Sequence, residues 1–223
     1  MKDFFKRWFY RLIVRPWLTV FIGVKYVNRD VFKGKDQFIL VANHNSHFDV
    51  VSIIAGMPGD KIKNLKTLVA GDYFGRTNVA RSLTDFFFNA IMIYRDRKDE
   101  NVSGVEVLDQ VLKNGDSLVL FPEGSRGKPG VIAEFKSGIA ILLKNNPDIP
   151  FIPVYLDGFG RVLPKDKTII LPMECKVRFG KPIYIDKSKE MEDILDDVKN
   201  AILGLKIPEE TDRNQFTFQH PEK

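Results

Sequence analysis

Cysteine and histidine are scarce in this chain of 223 residues, which has one of the first and three of the second. A lone Cys175 cannot close an internal disulfide, so nothing argues for an oxidising compartment and a reducing cytosol is the expectation. Long hydrophobic runs are missing as well. The longest charge-free stretch near the start, "PWLTVFIGV" at residues 16–24, is about half of the roughly 20 apolar residues that span a bilayer. No small-residue cleavage site follows it and Lys25 closes it, which argues against a signal peptide. Internal repeats, low-complexity linkers and a composition break that would mark a second domain are all absent. With 44% hydrophobic residues, one globular domain of moderate size is expected.

Acids are nearly missing from the first 29 residues, where Asp3 stands alone against Lys2, Lys6, Arg7, Arg11, Arg15, Lys25 and Arg29. The same stretch carries Phe4, Phe5, Trp8, Phe9, Tyr10, Trp17 and Phe21. Basic groups among large aromatics suit an anionic membrane interface, where rings sit at headgroup level and Lys or Arg meets phosphate. Nucleic acid has less use for so much apolar surface and is not an expected partner. Residues 1–30 therefore read as an amphipathic helical segment that lies on a membrane, docking through residues 1–25. The competing reading is a pair of amphipathic helices that cover the protein's own core. The expected location is peripheral or monotopic, on the cytoplasmic side of a membrane. Residues 31–207 form the body, and 208–223, "PEETDRNQFTFQHPEK", read as a polar, frayed tail that holds His220.

Along the body, apolar runs alternate with longer amphipathic stretches, which predicts an α/β fold, a sheet covered by helices. Strands are expected at 37–42, 66–70, 90–95, 116–121, 150–156 and 174–180. Several are continuously apolar, as strands buried on both faces should be. Helices are expected at 48–56, 74–88, 101–114, 133–146 and 188–204. The last repeats Met191, Ile194, Leu195, Val198, Ile202 and Leu205 at three- and four-residue spacing and reads as a packing helix.

Two of the three histidines fall in "NHNSHFD", residues 43–49, directly after the strand that ends at Ala42. Loops at the carboxyl ends of sheet strands are where open α/β sheets place their sites. A helix starting near Ser46 or Phe48, capped by the Ser46 hydroxyl, would hold Asp49 in its first turn and let it reach back to His44. If Asp49 accepts the Nδ1 proton, Nε2 becomes an acceptor and the pair a general base. Ser46 is too close to His44 to be its nucleophile, so such a base would activate a hydroxyl on a substrate. Two other readings stay open on this heptapeptide alone. His44, His47 and Asp49 could ligate a metal, although two-histidine helical sites space their histidines four apart and here the spacing is three. The segment could also be a plain polar loop.

A second motif, "FPEGSRG" at residues 121–127, ends another strand. Pro122 and Gly124 favour a tight turn, whose amides could serve an anion or oxyanion. Arg126 adds a planar fork suited to phosphate, and Glu123 could orient a hydroxyl or hold an arginine. Arg95, ending "IMIYR", could reach the same rim. Together these groups suit a substrate with both a phosphate and a free hydroxyl; surface salt bridges among Arg95, Asp96, Arg97 and Glu123 are the alternative.

These residues resemble the PlsC-like glycerolipid acyltransferases, of the lysophosphatidic acid acyltransferase and glycerol-3-phosphate acyltransferase type. Asn43, His44 and Asp49 match the family's first motif, asparagine-histidine, four residues, then aspartate. Phe121 to Arg126 match the third, and "IPFIPVY" with Pro153 is similar to the fourth. "NAIMIYR" looks like the second, with Asn89 where glycine is usual and Tyr94 where aspartate often stands. "FKSG" at 135–138 and "GKP" at 180–182 also look like family features. The resemblance implies a glycerol-3-phosphate acyltransferase-like fold with a mixed, largely parallel sheet. It implies His44 as base, Asp49 as its partner, and Arg95, Glu123, Gly124, Ser125 and Arg126 as substrate-binding residues, with no metal and no cofactor. The implied reaction moves an acyl group from acyl-CoA or acyl-acyl carrier protein to a membrane lipid acceptor, foremost 1-acylglycerol 3-phosphate. A lyso-aminolipid acceptor, a non-catalytic lipid-binding protein of the same fold, and a metallohydrolase are the rivals.

Overall fold

The apolar run before "NHNSHFD" forms strand β2 (Ile39–Ala42), with every residue buried. The computed structural model describes residues 2–70, 87–93, 104–127, 131–162 and 174–206. Six further strands join β2: β1 (Val24–Val27), β3 (Leu65–Ala70), β4 (Ala90–Ile93), β5 (Ser117–Leu120), β6 (Phe151–Asp157) and β7 (Cys175–Phe179). They form one seven-stranded sheet in the order β1-β7-β6-β2-β5-β3-β4. All neighbours run parallel except β6 and β7, which are antiparallel. The carboxyl ends of β2, β3, β4, β5 and β6 therefore share one rim, with β2 flanked by β5 and β6 at its middle.

Side chains alternate across β2, and both faces are covered. Leu40 and Ala42 pack with Ile53, Ile152, Val154, Val177 and Phe179 under α3 (Asp49–Gly56) and the N-terminal helices. Ile39 and Val41 pack on the other face with Leu118, Leu142, Ile194, Val198 and Ile202. The helices there are α4 (Gly104–Lys113), α5 (Gly138–Asn145) and α7 (Met191–Leu203); the short α6 (Phe159–Val162) follows β6. Along α7, Ile194, Val198 and Ile202 are fully buried, so it is the packing helix its spacing predicts.

Residues 2–22 form a helix of alternating character: α1 (Lys2–Phe9), a π-helical stretch Tyr10–Val14, α2 (Arg15–Trp17) and a second π stretch Leu18–Ile22. A π turn holds more residues than the 3.6 of an α turn. The mixture keeps side chains four apart in straight rows. Lys6, Tyr10, Leu18 and Ile22 make a buried row, with Val14 half-buried within it. Arg7, Arg11 and Arg15 line one flank of it, and Phe9, Ile13 and Trp17 the other. Phe4, Trp8, Leu12 and Val20 face outward, each at least half exposed. No helix among the described residues is long and apolar enough to cross a membrane.

Several elements differ from their sequence-based bounds. Strand β1 was not expected at all: its four residues fall inside the 1–30 segment, pair with β7 in the register Val24↔Cys175, and make that segment part of the sheet. The helix expected from 133 begins at Gly138, because the Ala133 amide donates to Glu123 and the Lys136 amide to the Pro122 carbonyl, holding 131–136 against the turn after β5. Helix α3 starts at Asp49 and is not capped by Ser46, whose hydroxyl accepts the Phe48 amide two residues on. The helix expected over 74–88 lies outside the described residues but for its last two, and so do Tyr94, Arg95 and the tail 208–223 with His220.

Candidate active site

His44 and Asp49 meet as their spacing predicts. The chain leaves β2, turns through 43–48 and enters α3 at Asp49, whose fully buried carboxylate points back into that turn. Its Oδ2 lies 2.8 Å from His44 Nδ1 and accepts the amides of Asn45 at 2.7 Å and Ser46 at 2.8 Å. Two backbone amides already donate to this oxygen, at the positive end of a helix, so it faces His44 as an acceptor. That carboxylate selects the Nδ1–H tautomer of His44 and makes Nε2 the basic atom. The imidazole stacks on Phe121, with ring centroids 4.1 Å apart, and its side chain is 20% exposed.

The turn after β5 holds His44 by its backbone. Glu123 Oε1 accepts the His44 amide at 2.8 Å, Glu123 Oε2 accepts the Ala133 amide at 2.9 Å, and the Gly127 amide donates to the His44 carbonyl at 3.0 Å. Glu123 is only 3% exposed, and both of its carboxylate oxygens are engaged by the His44 and Ala133 backbone amides, so it braces the loop that carries His44. Burial pushes its carboxyl above the usual range, and the two amides oppose that shift. A Cβ on Gly127 would sit 3.2 Å from Glu123 Oε2 and 3.3 Å from the Val131 carbonyl, so only glycine fits there comfortably. Gly124 has φ +70 and an exposed backbone, the conformation that the tight turn requires. Ser125 is exposed beside it, and Arg126 is partly exposed.

Arg126 donates to His47 Nε2. Burial first, then the charge of Arg126 and the ring of His44, hold His47 below its ordinary value and hence neutral. A guanidinium against the lone pair of His47 is a poor neighbour for a divalent cation. Asn43, fully buried at the end of β2, accepts the Leu156 amide at 2.7 Å and donates to the Leu156 carbonyl at 3.0 Å. Its carboxamide imitates a peptide group and fastens β2 to β6. Sequence reasoning passed over Asn43 and Gly127 as structural parts; a lone polar residue at the end of an apolar run was the available signal for the first.

The second motif is described only in part. Asn89, where the family has glycine, sits at φ 47 just before β4. Glycine and asparagine are the residues that adopt this left-handed conformation readily, so the exchange keeps the backbone. Its side chain donates to the carbonyls of Ile62, Lys63 and Leu65 and accepts from Lys6 Nζ at 2.5 Å.

The Acyltransferase family model matches residues 23–157, more than half of the chain. The chain belongs to the acyltransferase family. Among curated acyltransferases it is 25% identical over 207 residues to the chloroplastic 1-acyl-sn-glycerol-3-phosphate acyltransferase BAT2 of Brassica napus, over 90% of this chain and 57% of that one. To the 1-acyl-sn-glycerol-3-phosphate acyltransferase alpha of Ovis aries it is 25% identical over 179 residues, 78% of this chain and 59% of that protein. It thus spans less than two thirds of these relatives. The crystal structure of the 1-acyl-sn-glycerophosphate (LPA) acyltransferase PlsC from Thermotoga maritima superposes with a TM-score of 0.69 at 19% identity, covering 92% of this chain and 76% of that one. The shared fold is the mixed sheet with helical cover expected from the sequence.

Proposed function

We propose that this acyltransferase transfers a fatty acyl group from acyl-CoA or acyl-acyl carrier protein to the free hydroxyl of 1-acylglycerol 3-phosphate, giving phosphatidic acid. The observation that carries the reading is the His44–Asp49 pair, 2.8 Å apart, with the base held at its backbone by the 121–127 turn. The names of the curated relatives support the acceptor. His44 Nε2 removes the proton of the acceptor hydroxyl, whose oxygen attacks the thioester carbonyl carbon. A tetrahedral oxyanion forms, the C–S bond breaks, and the departing thiolate takes the proton from His44. The Gly124 amide already donates to the Phe121 carbonyl at 3.0 Å, and the oxyanion takes its donors from the other amides of the 122–126 turn. Arg126, released from neutral His47, binds the acceptor phosphate together with Arg95. No enzyme nucleophile or metal takes part.

Acceptor and product both live in a bilayer, and the outward row of Phe4, Trp8 and Leu12 supports an enzyme that lies on a membrane face. The test is an assay of purified protein with a panel of lyso acceptors and acyl thioesters in liposomes. Transfer to 1-acylglycerol 3-phosphate is expected, and His44→Ala should lower kcat by about 10²–10⁴-fold with the fold intact. Transfer to a lyso-aminolipid in its place would reassign the acceptor. No transfer to any acceptor by folded protein would refute the enzyme reading.

A further inference from the structure

The arginine flank of the N-terminal helix faces a groove of about 330 Å3 whose other wall is the carboxyl end of α3 and the chain after it. Four arginines line it, Arg7, Arg11, Arg15 and, out of the body, Arg29, and the charges of Arg15 and Arg11 are close enough to act on Arg29. Each is braced. Arg29 Nε donates to the Gly56 carbonyl at 2.5 Å and Nη2 to the Met57 carbonyl at 3.5 Å. Arg15 lies over the Tyr26 ring, 5.4 Å from its centroid. The Arg7 side chain runs so close over Gly59 that a Cβ there would lie 2.6 Å from Arg7 Cγ.

No carboxylate among the described residues lies within ion-pair distance of any of the four; the one acid in the groove wall, Asp60, sits 3.7 Å from Lys61. Burial, and then the like charges of Arg15 and Arg11, push Arg29 below its ordinary value. Like charges held in place without acids raise the free energy of the empty groove, and a bound anion relieves it. Planar guanidiniums match phosphate oxygens in particular.

We propose that this groove is a second lipid-phosphate site, which seats the headgroup of an anionic phospholipid of the bilayer and is separate from the acceptor site at His44. Two observations favour a lipid over a soluble phosphate. The outward row Phe4, Trp8 and Leu12 is the next row around the helix, so acyl chains and phosphate find apolar and basic surface side by side. The groove also lies at the opposite end of α3 from Asp49, and an eight-residue helix is about 12 Å long, so a phosphate held there is not on the molecule being acylated. The consequence is an enzyme oriented on anionic membranes by a built site and not by diffuse charge alone.

The inference rests on the interfacial reading of the N-terminal helix, which neutral vesicles test by themselves. Full-length protein is sedimented with phosphatidylcholine vesicles and with mixed phosphatidylcholine–phosphatidylglycerol vesicles. Two triple variants are compared with it: Arg7→Gln, Arg11→Gln, Arg15→Gln in the groove, and Lys113→Gln, Lys187→Gln, Lys199→Gln, which removes equal charge from exposed positions elsewhere. Circular dichroism melting checks that both fold. Each basic residue near an anionic surface is worth about 1 kcal/mol, so the groove variant should lose about 10²-fold in partitioning to mixed vesicles and little on phosphatidylcholine. The lysine variant should stay within about threefold of the unmodified protein. Equal losses in the two variants would reduce the groove to diffuse charge and overturn the proposal. Absence of binding to any vesicle would overturn the interfacial reading and this site with it. Binding of free coenzyme A that disappears in the groove variant, with vesicle binding unchanged, would overturn the lipid assignment.

Discussion

Glu123→Gln separates two roles for the same residue. Glu123 Oε1 and Oε2 each accept a buried backbone amide, from His44 at 2.8 Å and Ala133 at 2.9 Å. Glutamine keeps one oxygen and turns an NH2 toward the other amide, so one donor is left facing a donor. An unsatisfied buried donor costs about 1–3 kcal/mol, and Glu123→Ala, which strands both, should cost about 2–6 kcal/mol. For a chain of this size each kcal/mol lowers Tm by about 2–4 °C, so the glutamine variant should melt about 2–12 °C lower. In the proposed mechanism, loss of the His44 tether lets the base drift, and a misplacement of about 1 Å costs about 10² in rate. Calorimetry with steady-state kinetics over acceptor concentration reads both effects. The structure predicts a lower Tm and a lower kcat with little change in KM for the acceptor. An unchanged Tm with a KM about tenfold higher would mean that Glu123 contacts the acceptor itself, and the bracing argument would fail.

Three further outcomes follow from individual contacts. His47 is held below its ordinary value, partly by Arg126, so its contribution to stability is complete above the unfolded value near 6.5 and is lost as pH falls through the lower folded one. Its ring resonances should titrate below those of a free histidine, and Arg126→Gln should raise the midpoint; an unmoved midpoint would show that the guanidinium is not the cause. Asn89→Gly keeps the left-handed backbone but loses the side-chain bonds to 62–65 and to Lys6, so a loss of about 1–3 kcal/mol in denaturant unfolding is expected, against none if those bonds are incidental. Exchanging exposed Phe4, Trp8 and Leu12 for serine should remove about 1 kcal/mol each from partitioning to phosphatidylcholine vesicles without lowering Tm. A fall in Tm with no change in partitioning would mark the row as core cover.

What could be read from the sequence was whatever local pattern encodes. Strands β2, β5 and β6 announce themselves because both faces are buried, so nearly every residue is apolar. Strand β1 has the same role at the sheet's edge but carries the exposed Lys25 in four residues and pairs with β7 about 150 positions away, a contact that no window reveals. The His44–Asp49 pair was legible because a five-residue separation across a helix start brings the two groups together by local geometry. The partners of Glu123 were not: an acid beside a glycine turn looks the same whether it faces a substrate or two amides. Residues 133–137 carry helical character locally, and two long-range hydrogen bonds override it. The N-terminal rows were in plain view at a spacing of four, yet a reading at 3.6 residues per turn smears them.

Those rows also explain why asparagine replaces glycine in the second motif. The buried row ends in two polar anchors on the chain before β4: Lys6 Nζ donates to Asn89 Oδ1, and the Tyr10 hydroxyl donates to the Phe87 carbonyl at 3.1 Å. Glycine at 89 would satisfy the left-handed backbone and leave nothing for Lys6 to donate to there. Asparagine satisfies both, and its amide reaches on to the carbonyls of Ile62, Lys63 and Leu65, at the start of β3. This departure from the family pattern thus ties the amphipathic helix to the start of β4. The helix and the second motif are therefore one mechanical unit, and a substitution at Asn89 should be felt on the helix before it is felt at His44.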